Sequence, residues 1–141
     1  TKDAKLAIPS GVSADCSAAT CPEDVESQFA GLSQEYVAAN IDMAEMIFHG
    51  GPVDDPDAVG FFDLLEEAGA TELATGMSNA LENARQVNSA VTEDYRSSLQ
   101  QGPETVKGVH DAVKGFTDHL KTQFVSVLGL RVPNEGAGDN D

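Results

Sequence analysis

Apolar residues recur every three or four positions along most of this chain, which is the spacing of one face of an α-helix. The longest such run predicts a helix over 103–128, between Gly102 and Gly129, with Pro103 in its first turn. At 1.5 Å per residue this helix would be about 39 Å long, so its single apolar stripe requires other helices to cover it. The stripe consists of Val106, Val109, Val113, Phe116, Leu120, Phe124, Val127 and Leu128.

The first helix of the chain is predicted over 34–48, where the same periodicity appears. Ser33 precedes it and is a residue type that favours the N-cap position. The sequence H-G-G-P at 49–52 is a strong stop, because glycine and proline both end helices. The predicted stripe consists of Val37, Ile41, Ala44 and Phe48, widened by Met43 and Ile47.

Two more helical segments lie between that stop and Gly102. A short one carries phenylalanine and leucine pairs at 61–65 and ends before Gly69. A long one begins at Thr71 and keeps a helical period to Leu99, with a kink expected at 88–92, where helix propensity falls. No stretch alternates polar and apolar residues as a strand does. The sequence therefore predicts an all-α, up-down helical bundle of three long helices and one short one.

The predicted bundle covers 32–132 and lies between two segments that lack a sustained period. We expect 1–31 to be an irregular leading segment in which Val25 and Phe29 are the anchors of a short helical turn. Loops of this length usually carry function or lie against something else. The glycine-rich, acidic residues 133–141 predict an extended tail.

The two cysteines of the chain, Cys16 and Cys21, lie close together in the irregular leading segment. A pair of cysteines with no nearby histidine is typical of a local disulfide in an exported protein, and two free thiols are the alternative. A bridge that closes so small a loop would hold the irregular segment in place more than it would stabilise the fold.

The net charge of the chain limits the classes of molecule that it can bind. Eight basic residues against twenty-four acidic ones give a formal charge of −16, which repels nucleic-acid phosphates and anionic lipid. Apolar runs stay well short of the roughly 18–20 residues that a membrane-spanning helix needs, so we predict no transmembrane segment. The sequence begins at Thr1 without a signal peptide, and we expect it to be a processed protein or a fragment.

Three aspartates in the loop after the first helix are candidate metal ligands. Asp54, Asp55 and Asp57 offer carboxylate oxygens, which suit calcium or magnesium. Their spacing lacks the glycine and the distal glutamate of an EF-hand, so a solvated acidic loop is the competing interpretation.

The three histidines do not form a set of metal ligands. His110 and His119 are nine residues apart on the predicted last helix, which places them on opposite flanks of it. His49 ends the first helix, where a histidine favours the helix dipole. The zinc-protease, serine-hydrolase and phosphate-loop motifs are all missing, and Cys16 has no obvious base, so the residues themselves indicate no active site. His110 remains a weak candidate ligand.

Several segments, in order, resemble the carboxy-terminal half of imelysin-like proteins. The most specific part is the closing pattern, a helix ending L-K-x-x-F-V-x-x-L-G-L followed by a tail ending G-D-N-D. The segments are AKLAIPSG at 4–11, CPEDVES at 21–27, NIDMAEMIFHGG at 40–51, GFFDLLEEAGATELATGM at 60–77 and VHDAVKGFTDHLKTQFVSVLGLRVPNEGAGDND at 109–141.

The resemblance implies a fold of two packed helical bundles in a protein exported to the periplasm or held at the outer membrane. Many such proteins are associated with iron uptake, and the family has been classed as metallopeptidases. Its metal motif, G-x-H-x-x-E, lies in the amino-terminal half. That motif is absent here, since His49, His110 and His119 are each followed by other residues. We therefore expect this chain to be one half of a longer protein, with 1–31 continuing from the missing half.

Three functions follow from the sequence. In the first, the chain is the second bundle of an imelysin-like exported protein that acquires iron or another metal. The iron or zinc would be bound mainly by the amino-terminal half, which would be a separate chain or part of the same precursor. The second is half of a zinc metallopeptidase, to which a residue such as His110 or Glu45 would be lent across the interface. The third is a non-catalytic scaffold that binds haem or a protein through an exposed apolar face. Enzymatic activity stays open.

Overall fold

The computed structural model describes residues 1–52, 55 and 57–130. In these residues no strand occurs and the regular elements are all helical, which confirms the predicted all-α bundle. Helices α3 and α5 pack along each other, and α1 packs on α3. The α-helices are α1 (Ser33–His49), α2 (Phe61–Glu67), α3 (Thr71–Ser89), α4 (Tyr95–Gln101), α5 (Glu104–His119) and α6 (Val125–Val127).

Helix α1 extends one residue beyond each end of the predicted range 34–48. Ser33 is its first helical residue rather than its N-cap, because the Ser33 hydroxyl donates a hydrogen bond to the backbone carbonyl of Glu26. The predicted stop is confirmed, since Gly50 takes a left-handed conformation with φ of 78°. The returning loop also lies so close that a Cβ on Gly50 would overlap the carbonyl of Val59.

The prediction of one long helix from Thr71 to Leu99 is wrong. The chain leaves α3 at Ser89 and begins α4 at Tyr95. Two sets of hydrogen bonds explain the break. The Gln34 side chain of α1 donates hydrogen bonds to the backbone carbonyls of Asn88 and Val91, at 2.7 and 2.9 Å. These bonds hold the C-terminal end of α3 against α1. Asp94 then caps α4.

The predicted helix over 103–128 is continuous from Glu104 to Val127 but changes its pitch. Leu120–Phe124 forms a π-helical segment between α5 and α6. Pro103 is the N-cap rather than the first helical residue, and Gly129, with φ of 61°, ends the helix as predicted.

The leading segment 1–31 is more ordered than its sequence pattern suggests. Lys2–Ala7 forms a π-helix that packs on α5, with Leu6 fully buried, and Pro22–Asp24 forms one 3-10 turn. The predicted anchor Val25 is buried, whereas Phe29 is 89% exposed, so its role as an anchor was wrong.

The predicted disulfide between Cys16 and Cys21 is present, with the two Cα atoms 5.9 Å apart. Thr20, inside the loop that the bridge closes, donates to the carbonyl of Leu99 at 3.3 Å. This bond ties the loop to α4, so the disulfide fixes a segment that lies against the bundle.

The hydrophobic core consists of two clusters, each named here after a central residue. The Tyr95 cluster and the Phe48 cluster both draw residues from α1, α3 and the long C-terminal helix. The Tyr95 cluster comprises Leu6, Val25, Val37, Ile41, Ala84, Val91, Tyr95, Leu99, Val106, Val109, Ala112 and Val113. The Phe48 cluster comprises Phe48, Leu65, Ala74, Met77, Leu81, Phe116 and Phe124, with Ala44 and Phe62 packed against it.

Over the described ranges, no helix is both long enough and apolar enough to cross a bilayer. The predicted tail 133–141 lies outside the described residues.

Candidate functional site

The aspartates of the acidic loop are only partly described. Asp54 lies outside the described residues. Asp55 and Asp57 are both exposed, and an oxygen of the Asp55 carboxylate accepts a hydrogen bond from the backbone N–H of Asp57 at 3.0 Å. That contact is an Asx-turn. The metal site proposed for these residues stays a prediction.

His110 lies on the core side of α5 and is only 4% exposed. Its Nδ1 is 2.9 Å from the Asp111 carboxylate, which also accepts from Lys107 at 2.5 Å. Lys107, and then His110, lower the pKa of the Asp111 carboxyl. Among the described residues, His110 belongs to no group of three side chains arranged to hold a metal ion. The ring therefore has the contacts of a buried structural histidine.

One group of potential metal ligands does occur, but its chemistry is unsuitable. Cys21, Glu23 and Asp24 bring their ligand atoms within 4.8 Å of one another. A cysteine ligates metals as a thiolate, and the Cys21 sulfur is bonded to Cys16 instead. Two exposed carboxylates remain, which are ordinary on so acidic a surface.

Among the described residues, one histidine lies within hydrogen-bonding distance of a serine side chain. The Nε2 atom of His49 is 3.2 Å from the Oγ atom of Ser78. A serine beside a histidine is the minimal arrangement of a nucleophile and its base. The His49 ring, however, stacks on Phe62 with ring centres 5.1 Å apart, which holds it in the hydrophobic packing. Neither residue lines the apolar cavity described below.

Glu45, the other residue considered for a shared zinc site, belongs to an ion-pair network. Arg85 of α3 bonds to Glu45 and Asp42 of α1 and to Glu82 of its own helix. The hydrogen bonds that Arg85 donates to Glu45 and then to Asp42 raise the pKa of Arg85 further above its ordinary value. The three carboxylates thus share one guanidinium, and the network joins α1 to α3.

The structure contains an apolar cavity of about 310 Å³ between α1, α3 and α5, which the sequence pattern did not reveal. Its walls combine small and large apolar side chains on facing helices. Alanines at core positions are the signal that could have suggested it, since they leave room that neighbours must fill. The apolar walls consist of Ile41, Ala44, Leu81, Ala84, Val113 and Phe116.

The mouth of this cavity is polar. We give the name mouth to the polar part of the lining, to which the N-terminal π-helix contributes Lys2 and Asp3 and the second π-helical segment contributes Lys121. Thr1, Asn40 and Thr117 are the other polar residues of the lining. π-Helical segments are rare and occur frequently at functional sites. An apolar chamber with a few convergent polar groups is the usual form of a small-molecule site.

A second apolar feature lies on the outside of α1. Met43 and Ile47, predicted to widen the buried stripe, are 55% and 58% exposed. With Tyr36 they share a face turned about 110° from the buried stripe, at 3.6 residues per turn. We call this surface the outer α1 face. It consists of Leu32, Tyr36, Ala39, Met43, Met46 and Ile47.

Comparisons of the chain with models of protein families, with curated proteins and with solved structures find no match.

Proposed function

We propose that this chain is the second helical bundle of an imelysin-like exported protein that takes part in iron or other metal acquisition. In this proposal it docks against the amino-terminal bundle, which carries the main metal ligands. The observation that carries the proposal is the outer α1 face, because it gives α1 an apolar surface on two sides.

A helix with one apolar stripe belongs at the edge of a bundle, whereas apolar residues on more than one side indicate burial between layers. The inner stripe of α1, including Val37 and Ile41, is buried in this chain. The outer face exposes Tyr36, Met43 and Ile47 together. Contiguous exposed apolar residues rimmed by polar ones mark interaction surfaces. A second layer of helices is the occupant that this arrangement fits.

The negative charge around the outer α1 face also supports docking of a second helical layer. Acidic side chains, including Glu35 and Asp42, flank the outer α1 face, and the chain as a whole carries a formal charge of −16. A partner with basic residues around an apolar centre would therefore associate faster and more specifically than an acidic one.

The candidate ligands described above support the placement of the main metal ligands on the partner. His110, His49 and Glu45 each contact another side chain of this chain, and the Cys21 sulfur is oxidised. The acidic surface would raise the local concentration of cations without holding one ion tightly.

The proposal is tested on protein isolated from its native source, by denaturing gel and intact mass. We expect a longer chain that contains this sequence, or a second polypeptide that carries G-x-H-x-x-E. The native protein should retain Fe²⁺ or Zn²⁺ that the isolated 141-residue chain does not retain. A chain of this length alone, with no second half, would overturn the proposal.

Variants of the outer α1 face test the docking surface itself. Ile47→Glu places a charge at the proposed interface and should separate or loosen the two bundles, measured by amide hydrogen exchange of α1 in the native protein. Val59→Glu is the matched control, because Val59 is 75% exposed and lies outside α1. Equal effects of the two substitutions would contradict docking through this face.

The other two functions give different outcomes in the same experiments. Peptide hydrolysis that a chelator abolishes and zinc restores would identify a metallopeptidase completed by the second half. Association through the outer α1 face without retained metal and without hydrolysis would identify a scaffold.

A further inference from the structure

The apolar cavity lies where the two core clusters meet. Ile41, Ala84 and Val113 come from the Tyr95 cluster, and Ala44, Leu81 and Phe116 come from the Phe48 cluster. Alanines on α1 and α3 leave the space that larger side chains would fill. At about 310 Å³ the cavity is at the small end of the range for ligand sites, roughly 300–1,000 Å³.

The mouth concentrates positive charge on a chain that has little of it. Of eight basic residues in the whole sequence, Lys2 and Lys121 both line this opening. The Lys2 side chain is only 8% exposed, and its Nζ lies 3.2 Å from the Asp3 carboxylate. An ammonium group beside an apolar wall is costly to bury unless an anion compensates it. Asp3 supplies one such anion, and two ammonium groups against this one carboxylate give the charged residues of the lining a net positive charge, which favours an anionic head group.

The backbone at the mouth is also unusual. Lys2 lies in the π-helix Lys2–Ala7 and Lys121 in the π-helical segment Leu120–Phe124, so both described π-helical segments meet at one opening. Each segment departs from α-helical pitch, which changes the direction in which its side chains project. Regular helices would place these positions differently.

We propose that this cavity binds an aliphatic monocarboxylate of about eight to ten carbons, given its size at the small end of ligand sites. The hydrocarbon chain lies between α1, α3 and α5, and the carboxylate contacts Lys2 and Lys121. To do so it replaces protein groups that these lysines already contact. The proposal rests on the cavity alone and is independent of the proposed role in metal acquisition.

Calorimetric titration of the full chain with three probes tests the ligand class. Decanoate should bind at one site per chain, and octanoate should bind more weakly by about threefold to fourfold per methylene removed. Acetate, which has the head group without the chain, should not bind measurably. The absence of saturable decanoate binding would overturn the proposal.

A filled cavity tests the location of the ligand. Ala44→Phe places a ring in the cavity from a partly buried position on α1 and should weaken decanoate binding by more than about tenfold, the loss of several buried methylenes. Ala39→Phe is the matched control, since Ala39 is an exposed alanine of the same helix. Equal binding by the two variants would overturn the assignment.

The charged mouth is tested by Lys121→Gln with Lys107→Gln as its control, because Lys107 lies on α5 away from the cavity lining. Lys121→Gln should weaken decanoate about threefold, the scale of a partly exposed ion pair, and leave decanol binding unchanged. An equal loss for decanoate and decanol would contradict a carboxylate at this mouth.

A measurement on the unsubstituted chain covers the case in which Ala44→Phe fails to fold, judged by far-UV circular dichroism. Nuclear Overhauser contacts between ¹³C-labelled decanoate and Val113 or Phe116 are expected, and their absence at saturation would overturn the proposal. Ile47→Glu should leave decanoate binding unchanged, so failure of the docking proposal and failure of this one are separable.

Discussion

The Tyr95 cluster and the Phe48 cluster stabilise the same bundle by different interactions. In the first, the buried Tyr95 hydroxyl donates to the side-chain oxygen of Asn88, and the Asn88 amide donates to the Gln34 carbonyl at 3.2 Å. In the second, Phe48 packs edge-to-face against Phe62 and Phe116, with ring centres 6.0 and 6.1 Å apart. The polar network is directional, whereas ring packing depends mainly on buried area.

This difference explains what each cluster determines. The hydrogen bonds beside the Tyr95 cluster specify where α3 ends, because the Gln34 side chain donates to the carbonyls of Asn88 and Val91, and Tyr95 bonds to the Asn88 side chain. Rings of the Phe48 cluster hold α1, α2 and α5 together over a large apolar area. The cavity forms between the two clusters, where neither the polar network nor the rings fill the core.

The largest effect is expected from Phe48→Ala, which removes the central ring of the Phe48 cluster. Truncation of a buried phenylalanine should lower the free energy of unfolding by about 3–5 kcal/mol, measured by urea denaturation followed by circular dichroism. Phe29→Ala removes a ring that is 89% exposed and should change stability by less than about 0.5 kcal/mol. Similar losses in both variants would show that the Phe48 cluster does not dominate stability.

The next effect tests the polar network of the Tyr95 cluster. Tyr95→Phe keeps the ring but leaves the side-chain oxygen of buried Asn88 without its donor, which should cost about 1–3 kcal/mol. Tyr36→Phe, on the exposed outer α1 face, is the control and should be nearly neutral. If Tyr95→Phe were also neutral, packing rather than hydrogen bonding would define this cluster.

A smaller effect is expected where an ion-pair network joins α1 to α3. Arg85→Gln leaves Glu45, whose side chain is 13% exposed, and two other carboxylates without their cation. We expect a loss of about 1–2 kcal/mol that decreases as salt is added. Lys114→Gln breaks an exposed pair with Asp118 and should cost only about 0.3–0.5 kcal/mol. Equal losses in the two variants would mean that burial of Glu45 contributes nothing.

The smallest effect concerns the cap that separates α3 from α4. The Asp94 carboxylate accepts from the Ser97 hydroxyl and backbone N–H, at 2.6 and 3.1 Å, and these bonds lower the pKa of Asp94. Asp94→Ala should cost about 1 kcal/mol at neutral pH. Because the folded pKa is lowered, this stabilisation is present above the unfolded value near 3.9 and is lost as the pH falls through the folded value.

Asp94→Asn provides the control for that pH dependence. Asparagine also caps helices, so stability at pH 7 should change little. Its amide does not titrate, so the variant keeps its cap in acid while the aspartate loses part of its stabilisation, and a difference in favour of Asp94→Asn should grow as the pH is lowered below about 4. A difference that does not vary with pH would contradict the role given to the Asp94 carboxylate.

The sequence by itself determined the helical class, the stops at Gly50 and Gly129, and the Cys16–Cys21 disulfide. These features depend on neighbours along the chain: periodicity, backbone freedom of glycine and a short separation of cysteines. Those predictions are confirmed because each feature depends only on residues that are close together in the sequence.

Tertiary structure alone decided the rest. The end of α3 depends on Gln34, fifty-four residues from Asn88, and the π-helix Lys2–Ala7 packs on α5 from the far end of the chain. The outer α1 face and the cavity are likewise set by which helices meet and how closely. The periodic pattern indicates which residues share an apolar face of a helix. Only packing between distant segments decides whether such a residue is buried, exposed or beside a cavity.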